Sequence, residues 1–467
     1  MTADRGAHPA SPLRSRTGAV AVLSLVVAVV LGDSGVVTLA LPEILREFGA
    51  GVGEVAWVLI AFNLVLALVA VPAARLCVRG DPSVATAGGL IGFAAATSVC
   101  AAAPSLGVLI AARAAQAAGG ALVIVGSLEL LVEATDAERA GARRWAAAGV
   151  AGAALGPVVG GVLTSAFSWR AIFVVQIPIG LLALPAVIAL RGRVVPHGVD
   201  PDMSPDRPHV LANLALALLS AALTAALFLL VLMLVDGWRH SPAVAAAAVT
   251  AVPVAALAAG PVFRGVRAGT RSEAVAGSVL IAGGLTGLAL LPGAELVWTV
   301  APQVLIGLGL GLSVDSLTAA ALRDRIPRAL HGGWTIAARH AGVVFGLAIL
   351  TPVFTADLHH AETPAKEAIA GLVLDAPLPA STKLELAERL GRRLVAERGR
   401  VPDLRPAFTT LRVPATQAPA AAHLERGLED QLKRAATRAF RNAFLVAAVL
   451  ALLALGPALA LRDRSRS

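Results

Sequence analysis

The chain is short of charge: 15% of its 467 residues are Asp, Glu, Lys or Arg, where a soluble globular domain carries about 25%. It has no tyrosine and only two cysteines. So little charge beside so much apolar residue excludes a disordered chain. The cysteines exclude a disulfide scaffold, because Cys77 and Cys100 end consecutive apolar runs and so belong on opposite membrane faces, roughly 30 Å apart. Without tyrosine, and with all six tryptophans at the ends of apolar runs, where an interfacial aromatic belt would have them, an aromatic cage for a quaternary cation has only phenylalanines to draw on, for example Phe62, Phe228 or Phe345. No Ser-His-Asp, Cys-His or metal-ligand spacing occurs, so neither catalytic residues, nor a cofactor, nor a metal site is expected. The net charge of +9 is scattered between apolar runs instead of gathered on one face, which argues against nucleic acid.

What the chain has is hydrophobic length. Apolar residues make up 57% of it and the mean hydropathy is +0.78. Runs of about 20 residues long enough to cross a bilayer fall at approximately 19–41, 55–76, 84–103, 105–128, 146–167, 171–190, 211–235, 242–263, 274–291, 296–321, 333–354 and 440–461. The expected fold class is therefore an all-α polytopic membrane protein with about twelve transmembrane helices. Arg5, Arg14 and Arg16 before the run Gly18 to Pro42 imitate a signal peptide, but that run is too long for one and reads as an uncleaved first span.

A proline-rich stretch with Pro196, Pro201, Pro205 and Pro208 separates six spans from six. The expected organisation is an N-terminus at 1–17, a six-helix bundle at 18–191, a linker at 192–209, a second bundle formed by 210–354 and 439–461, and a tail at 462–467. Positive charge sets the orientation. Twenty arginines (5, 14, 16, 75, 79, 139, 143, 144, 191, 193, 207, 264, 267, 271, 323, 325, 328, 462, 464 and 466) lie on one side, and three (Arg46, Arg170 and Arg239) occupy the opposite short loops. Both termini are therefore expected in the cytoplasm of a multi-pass plasma-membrane protein. The polar segment 355–438 then faces outward, with leucines at 386, 390 and 394 and at 424, 428 and 432 marking amphipathic helices. A cap over the exit is expected there.

Ionisable residues inside spans are costly and are functional candidates. Helix rise puts Asp33 and Arg113 at one depth near the outer surface, and Asp315 and Arg339 at another near the inner one. A pair in each half is geometrically possible, as a proton site or as a structural ion pair. Glu54, Glu129 and Glu133 fall outside the expected spans and read as solvated. Span five carries Gly152, Gly156, Pro157, Gly160 and Gly161, small residues at four-residue spacing that allow close helix approach, with a proline that bends the helix.

The string Gly152 to Gly161 resembles the antiporter motif of the major facilitator superfamily. The stretch Trp169 to Gly180 is similar to the signature opening span six of its second drug-proton antiporter family. Arg113 to Gly120 resembles the span-four motif associated there with proton transfer, and Asp33 to Pro42 resembles the span-one motif. The stretches Gly307 to Gly311 and Arg339 to Gly346 are similar to later spans. There are departures: Thr38 and Gln176 stand where that family has Asn, Ala117 replaces a Gly, Val78 replaces the acid of the loop after span two, and twelve spans replace the usual fourteen.

The resemblance implies two six-helix bundles around a cavity that opens alternately to each side, and a monomer that exports a small amphipathic molecule in exchange for protons. Asp33, Arg113, Asp315 and Arg339 would handle the proton. Thr38, Phe62, Gln116, Phe228 and Phe345 are candidates to line the substrate cavity, for a neutral or weakly basic, antibiotic-like compound. A facilitative or proton-coupled metabolite transporter of the same fold, and a non-transporting receptor using segment 355–438, remain as alternatives.

Overall fold

In a bilayer every backbone N–H and C=O needs an internal partner, so an apolar chain of this length has to be helical. Its helices start where side chains can satisfy the first free N–H groups. Asp81 accepts from the Ser83 N–H (2.8 Å), Ser105 from Val108 (3.4 Å) and Ser241 from Val244 (3.3 Å), with Pro82 and Pro242 in the first turns. A computed structural model describes residues 12–193, 206–263, 269–323, 325–396, 402–409, 411, 414 and 416–461. The expected linker prolines Pro196, Pro201 and Pro205, Arg264, Arg267 and the outermost arginines of both tails lie outside these residues.

Among the described residues twelve helices are long and apolar enough to cross a membrane. They are span one (Thr17–Glu47), two (Val52–Arg79), three (Pro82–Ala101), four (Leu106–Thr135), five (Glu138–Ala166), six (Ala171–Ala189), seven (Val210–Gly237), eight (Pro242–Val262), nine (Thr270–Ala289), ten (Leu296–Leu322), eleven (Arg328–Asp375) and twelve (Ala418–Leu459). Spans one, three, four and five pack together, with two against four and three against six; spans seven, nine, ten, eleven and twelve repeat the pattern, with eight against ten. Adding six to the pairs one–five, two–four, three–four and three–six gives seven–eleven, eight–ten, nine–ten and nine–twelve, which describes an internal repeat. The halves meet mainly where span two packs on eleven and span five on eight, two contacts that the same repeat interchanges.

Glycines set the closest of these contacts. A Cβ on Gly156 would stand 2.6 Å from the Gly32 carbonyl oxygen, and Cβ atoms on Gly152 and Gly160 would run into the carbonyls of Ala28 and Val36. Span five is therefore a groove of small residues holding the backbone of span one. Gly342 and Gly346 of span eleven meet the carbonyls of Ala217 and Ala221 of span seven in the same way.

Two expectations need correction. Spans eleven and twelve do not stop at 354 and start at 440: span eleven continues as one helix to Asp375, and span twelve begins at Ala418. Hydropathy ends at Thr355, but helix-forming composition does not. With the helix Ala380–Ala396 these extensions enclose a small core of their own, including Ile369, Val373, Leu386, Leu390, Leu404 and Leu428. The extensions also bind the second half, Asn442 Nδ2 donating to Asp357 (3.1 Å) and Trp238 Nε1 to Thr437 (2.9 Å). Secondly, the tryptophans do not form a uniform belt. Trp57, Trp298 and Trp334 are exposed, whereas Trp145, Trp169 and Trp238 are buried, and Trp145 donates to the Ile124 carbonyl (2.9 Å).

Candidate functional site

The interior of the first half holds one polar network. Span one presents Asp33 and span four Arg113, both 0% exposed, with Nη2 and Oδ2 2.5 Å apart. That contact is an ion pair by distance without the alignment of a hydrogen bond. Arg113 is otherwise fully engaged: Nη1 donates to Gln116 (2.6 Å), Nε to the Val58 carbonyl (3.3 Å), and the guanidinium lies 4.1 Å from the Phe62 ring centroid. Gln116 Nε2 donates to Thr97 (2.9 Å) and Gln176 (3.3 Å), and Gln176 Nε2 donates to Asp33 Oδ1 (3.1 Å). Five spans thus converge on one carboxylate. An unpaired charge at this depth costs about 2.5–3.5 kcal/mol on insertion scales, so the network is what makes the burial tolerable.

On its other flank, span one faces a central cavity of about 170 Å³ between the halves. Among the described residues its polar lining consists of Ser34, Asn63, Ser220, Thr224, Arg339 and His340, and the others that line it are aliphatic, glycine or proline. Pro157, packed on Gly35, is one of them. Asn63 joins the halves: its Nδ2 donates to the Leu59 carbonyl (2.8 Å) and to Ser34 Oγ (3.1 Å), and its Oδ1 lies 2.6 Å from His340 Nδ1. Because the Leu59 carbonyl requires a donor, the amide orientation is fixed, and His340 must carry its proton on Nδ1.

The halves also touch at both ends. On the side that carries the linker, Arg328 pairs with Glu138, and Ala74, Cys77, Val125 and Ala329 share a cluster. On the side of the helical extensions Arg46 lies 3.3 Å from Asp236. Glu47 accepts from Trp169 Nε1 (2.6 Å) and pairs with Arg170 (2.7 Å), so the start of the span-six signature is tied to the end of span one.

The expected second pair does not close. Asp315 is exposed and Arg339 half-buried, and although each is within electrostatic reach of the other, no ion pair or hydrogen bond joins them. Nor do the five expected cavity residues line the cavity. Phe62 and Gln116 are committed to Arg113, Thr38 donates to the Ser34 carbonyl (2.6 Å), Phe228 is buried, and Phe345 is on the exposed flank of span eleven. Helix rise gives depth but not the direction a side chain faces. Glu54 is exposed, as expected, and accepts from the Gly51 N–H (2.7 Å); Glu129 and Glu133 instead lie half-buried within span four, which runs on to Thr135. The residues the sequence reading missed are Asn63, Ser34 and His340, of which only His340, next to Arg339 on an apolar helix, was visible as a signal. Among the described residues no cluster of His, Cys, Asp or Glu could hold a metal.

The sequence matches the Major Facilitator Superfamily over residues 23–359, more than half of its length. The chain belongs to that superfamily. It is a multi-pass membrane protein of that superfamily. It is 37% identical over 197 residues to a "Multidrug efflux pump LfrA" of Mycolicibacterium smegmatis, covering 41% of this chain and 38% of that protein. It is 30% identical over 259 residues to a "Methylenomycin A resistance protein" of Streptomyces coelicolor, covering 54% and 52%. The matches therefore span about half, or less, of these relatives. A bacterial homologue of the human lysosomal transporter Spinster, inward-facing and occupied, shares the fold with a TM-score of 0.62 at 15% identity, covering 97% of each chain.

Proposed function

We propose that the chain exports a small amphipathic molecule across the plasma membrane in exchange for protons, with both termini in the cytoplasm and Asp33 as the proton carrier. The observation that carries this reading is the position of Asp33. Its carboxylate is sealed against Arg113 on one flank of span one, while Ser34 and Gly35 line the cavity on the other. Protonating Asp33 removes the counter-ion of Arg113, and with it the tie between spans one and four. Span one then moves against the glycine groove of span five, and the cavity wall moves with it. Coupling is reciprocal, so a molecule bound at Ser34 and Gly35 biases the state in which Asp33 reaches water. Efflux and resistance relatives support the direction of transport, and the charge asymmetry of the loops supports the orientation.

The test uses everted membrane vesicles containing the protein, energised with an acid interior, and compounds found in a growth-inhibition screen of expressing cells. Uptake that collapses with a protonophore is expected; uptake indifferent to the proton gradient would favour facilitated diffusion. For orientation, Arg193→Cys in a background lacking Cys77 and Cys100 should react with an impermeant thiol reagent only after permeabilisation, and Ala418→Cys in intact cells.

A further inference from the structure

We infer that the central cavity takes an amphiphile bearing one negative charge, with the Arg339 guanidinium as its counter-charge. This deepens the export reading and rests on it. Of the described residues that line the cavity, Arg339 alone has a permanent charge, and no aspartate or glutamate among them joins it. Asp33 is closed off with Arg113. Asp315, on span ten, acts on Arg339 electrostatically but neither pairs with it nor lines the cavity. Arg339 is thus a membrane-embedded cation whose hydrogen-bond donors meet no acceptor among the described residues, a condition that a bound carboxylate satisfies and a neutral compound leaves unchanged.

The same lining disfavours cations. Among the described lining residues there is no phenylalanine or tryptophan, so the rings best suited to cation–π attraction are missing, and an ammonium group would meet the field of Arg339 with no carboxylate in the lining. Ser220 and Thr224 supply hydroxyl donors, and aliphatic side chains fill the rest of the wall. With one guanidinium and a largely apolar wall, the ligand that fits is a compact apolar body with a single carboxylate. This revises the sequence expectation of a neutral or weakly basic substrate, which rested on the family resemblance and the shortage of aromatics and could not show where Arg339 points.

The experiment measures binding of 2-naphthoate, 2-naphthamide and 2-naphthylmethylammonium, matched in shape and differing in charge, to the full chain in lipid nanodiscs by calorimetry. At neutral pH the acid is ionised, and it is expected to bind at least about tenfold tighter than the other two. Arg339→Gln should bring the acid down to the affinity of the amide without moving the amide, and Arg339→Lys should keep most of the preference. If Arg339→Gln does not fold, Asp315→Asn serves instead, and removal of its opposing field should tighten naphthoate on the order of two- to threefold. Naphthoate binding no tighter than the amide, or not at all, overturns the inference, as does a preference that survives in Arg339→Gln or weakens in Asp315→Asn. The same probes applied to proteoliposomes loaded with a pH dye separate this from the export reading. Acid-selective binding without proton movement keeps the anion site and refutes coupled export; proton movement driven by the ammonium probe does the reverse.

Discussion

Both halves of the molecule hold an aspartate and an arginine inside their membrane spans, and they use them differently. In the first half Asp33 and Arg113 meet at 2.5 Å in a sealed network drawn from five spans. In the second, Asp315 and Arg339 stand apart, one exposed and the other facing the central cavity. The helix scaffold is the same, since span five receives span one on glycines just as span eleven receives span seven. The repeat therefore supplies two equivalent frames. A closed pair suits a charge that must be held and released, and an open arginine suits a charge that must meet a ligand.

A double-mutant cycle sharpens this contrast most strongly. Asp33→Asn and Arg113→Gln, each leaving a buried partner unpaired, should each lower stability by about 3–5 kcal/mol, and the double variant by much less than the sum. For Asp315→Asn with Arg339→Gln the effects should add to within about 0.5 kcal/mol. Denaturant titration in detergent reads both cycles. Equal coupling in the two would erase the distinction between the halves.

Next in size is the shared frame. Gly156→Leu forces a side chain into the Gly32 backbone, costing roughly 1–3 kcal/mol or more, and should stop transport while insertion survives. Gly342→Leu in the second half is expected to match it. Normal export by either variant would show that close helix approach is incidental.

Smaller again is the bond across the halves. Asn63→Ala removes the partner of His340 and should cost about 1–3 kcal/mol if His340 is left unsatisfied, with His340→Ala in the same background adding little. Additive losses in that pair would mean the two side chains act separately.

The smallest effect is expected in the helical extensions. Burial works against the Asp403 carboxylate, yet hydrogen bonds from Arg405 (3.1 and 3.2 Å) hold it below its ordinary value of 3.8. A lowered folded value means the pair stabilises above the unfolded pKa and loses its effect as pH falls through the folded one. Asp403→Asn should therefore cost less than about 1 kcal/mol at neutral pH. That gap should close on acidification below about pH 4.

Much of the scaffold could be read from residue order alone. Twelve apolar runs, the division into halves and the glycine string of span five follow from hydropathy and spacing, because the bilayer fixes length and close packing demands small residues. The depth shared by Asp33 and Arg113 followed from helix rise. What could not be read was azimuth. The same rise placed Asp315 and Arg339 together, but one residue is 100° of helix rotation, and that decides whether two side chains meet or diverge. Phe62 and Phe345 failed as cavity residues for the same reason. Asn63 carries no charge and so gave no warning, although its amide joins the two halves. The leucines at 424, 428 and 432 showed helix beyond the membrane, but not that spans eleven and twelve run into it unbroken, because hydropathy marks the membrane and not the end of a helix.

The most direct test compares Asp33→Asn with Asp315→Asn in proteoliposomes that report substrate-driven proton movement. Asp33→Asn, neutral in every state, should abolish proton movement while substrate still binds, and Asp315→Asn should leave proton movement intact. Proton movement that persists in Asp33→Asn, or disappears in Asp315→Asn alone, would contradict the assignment of the proton to the closed pair of the first half.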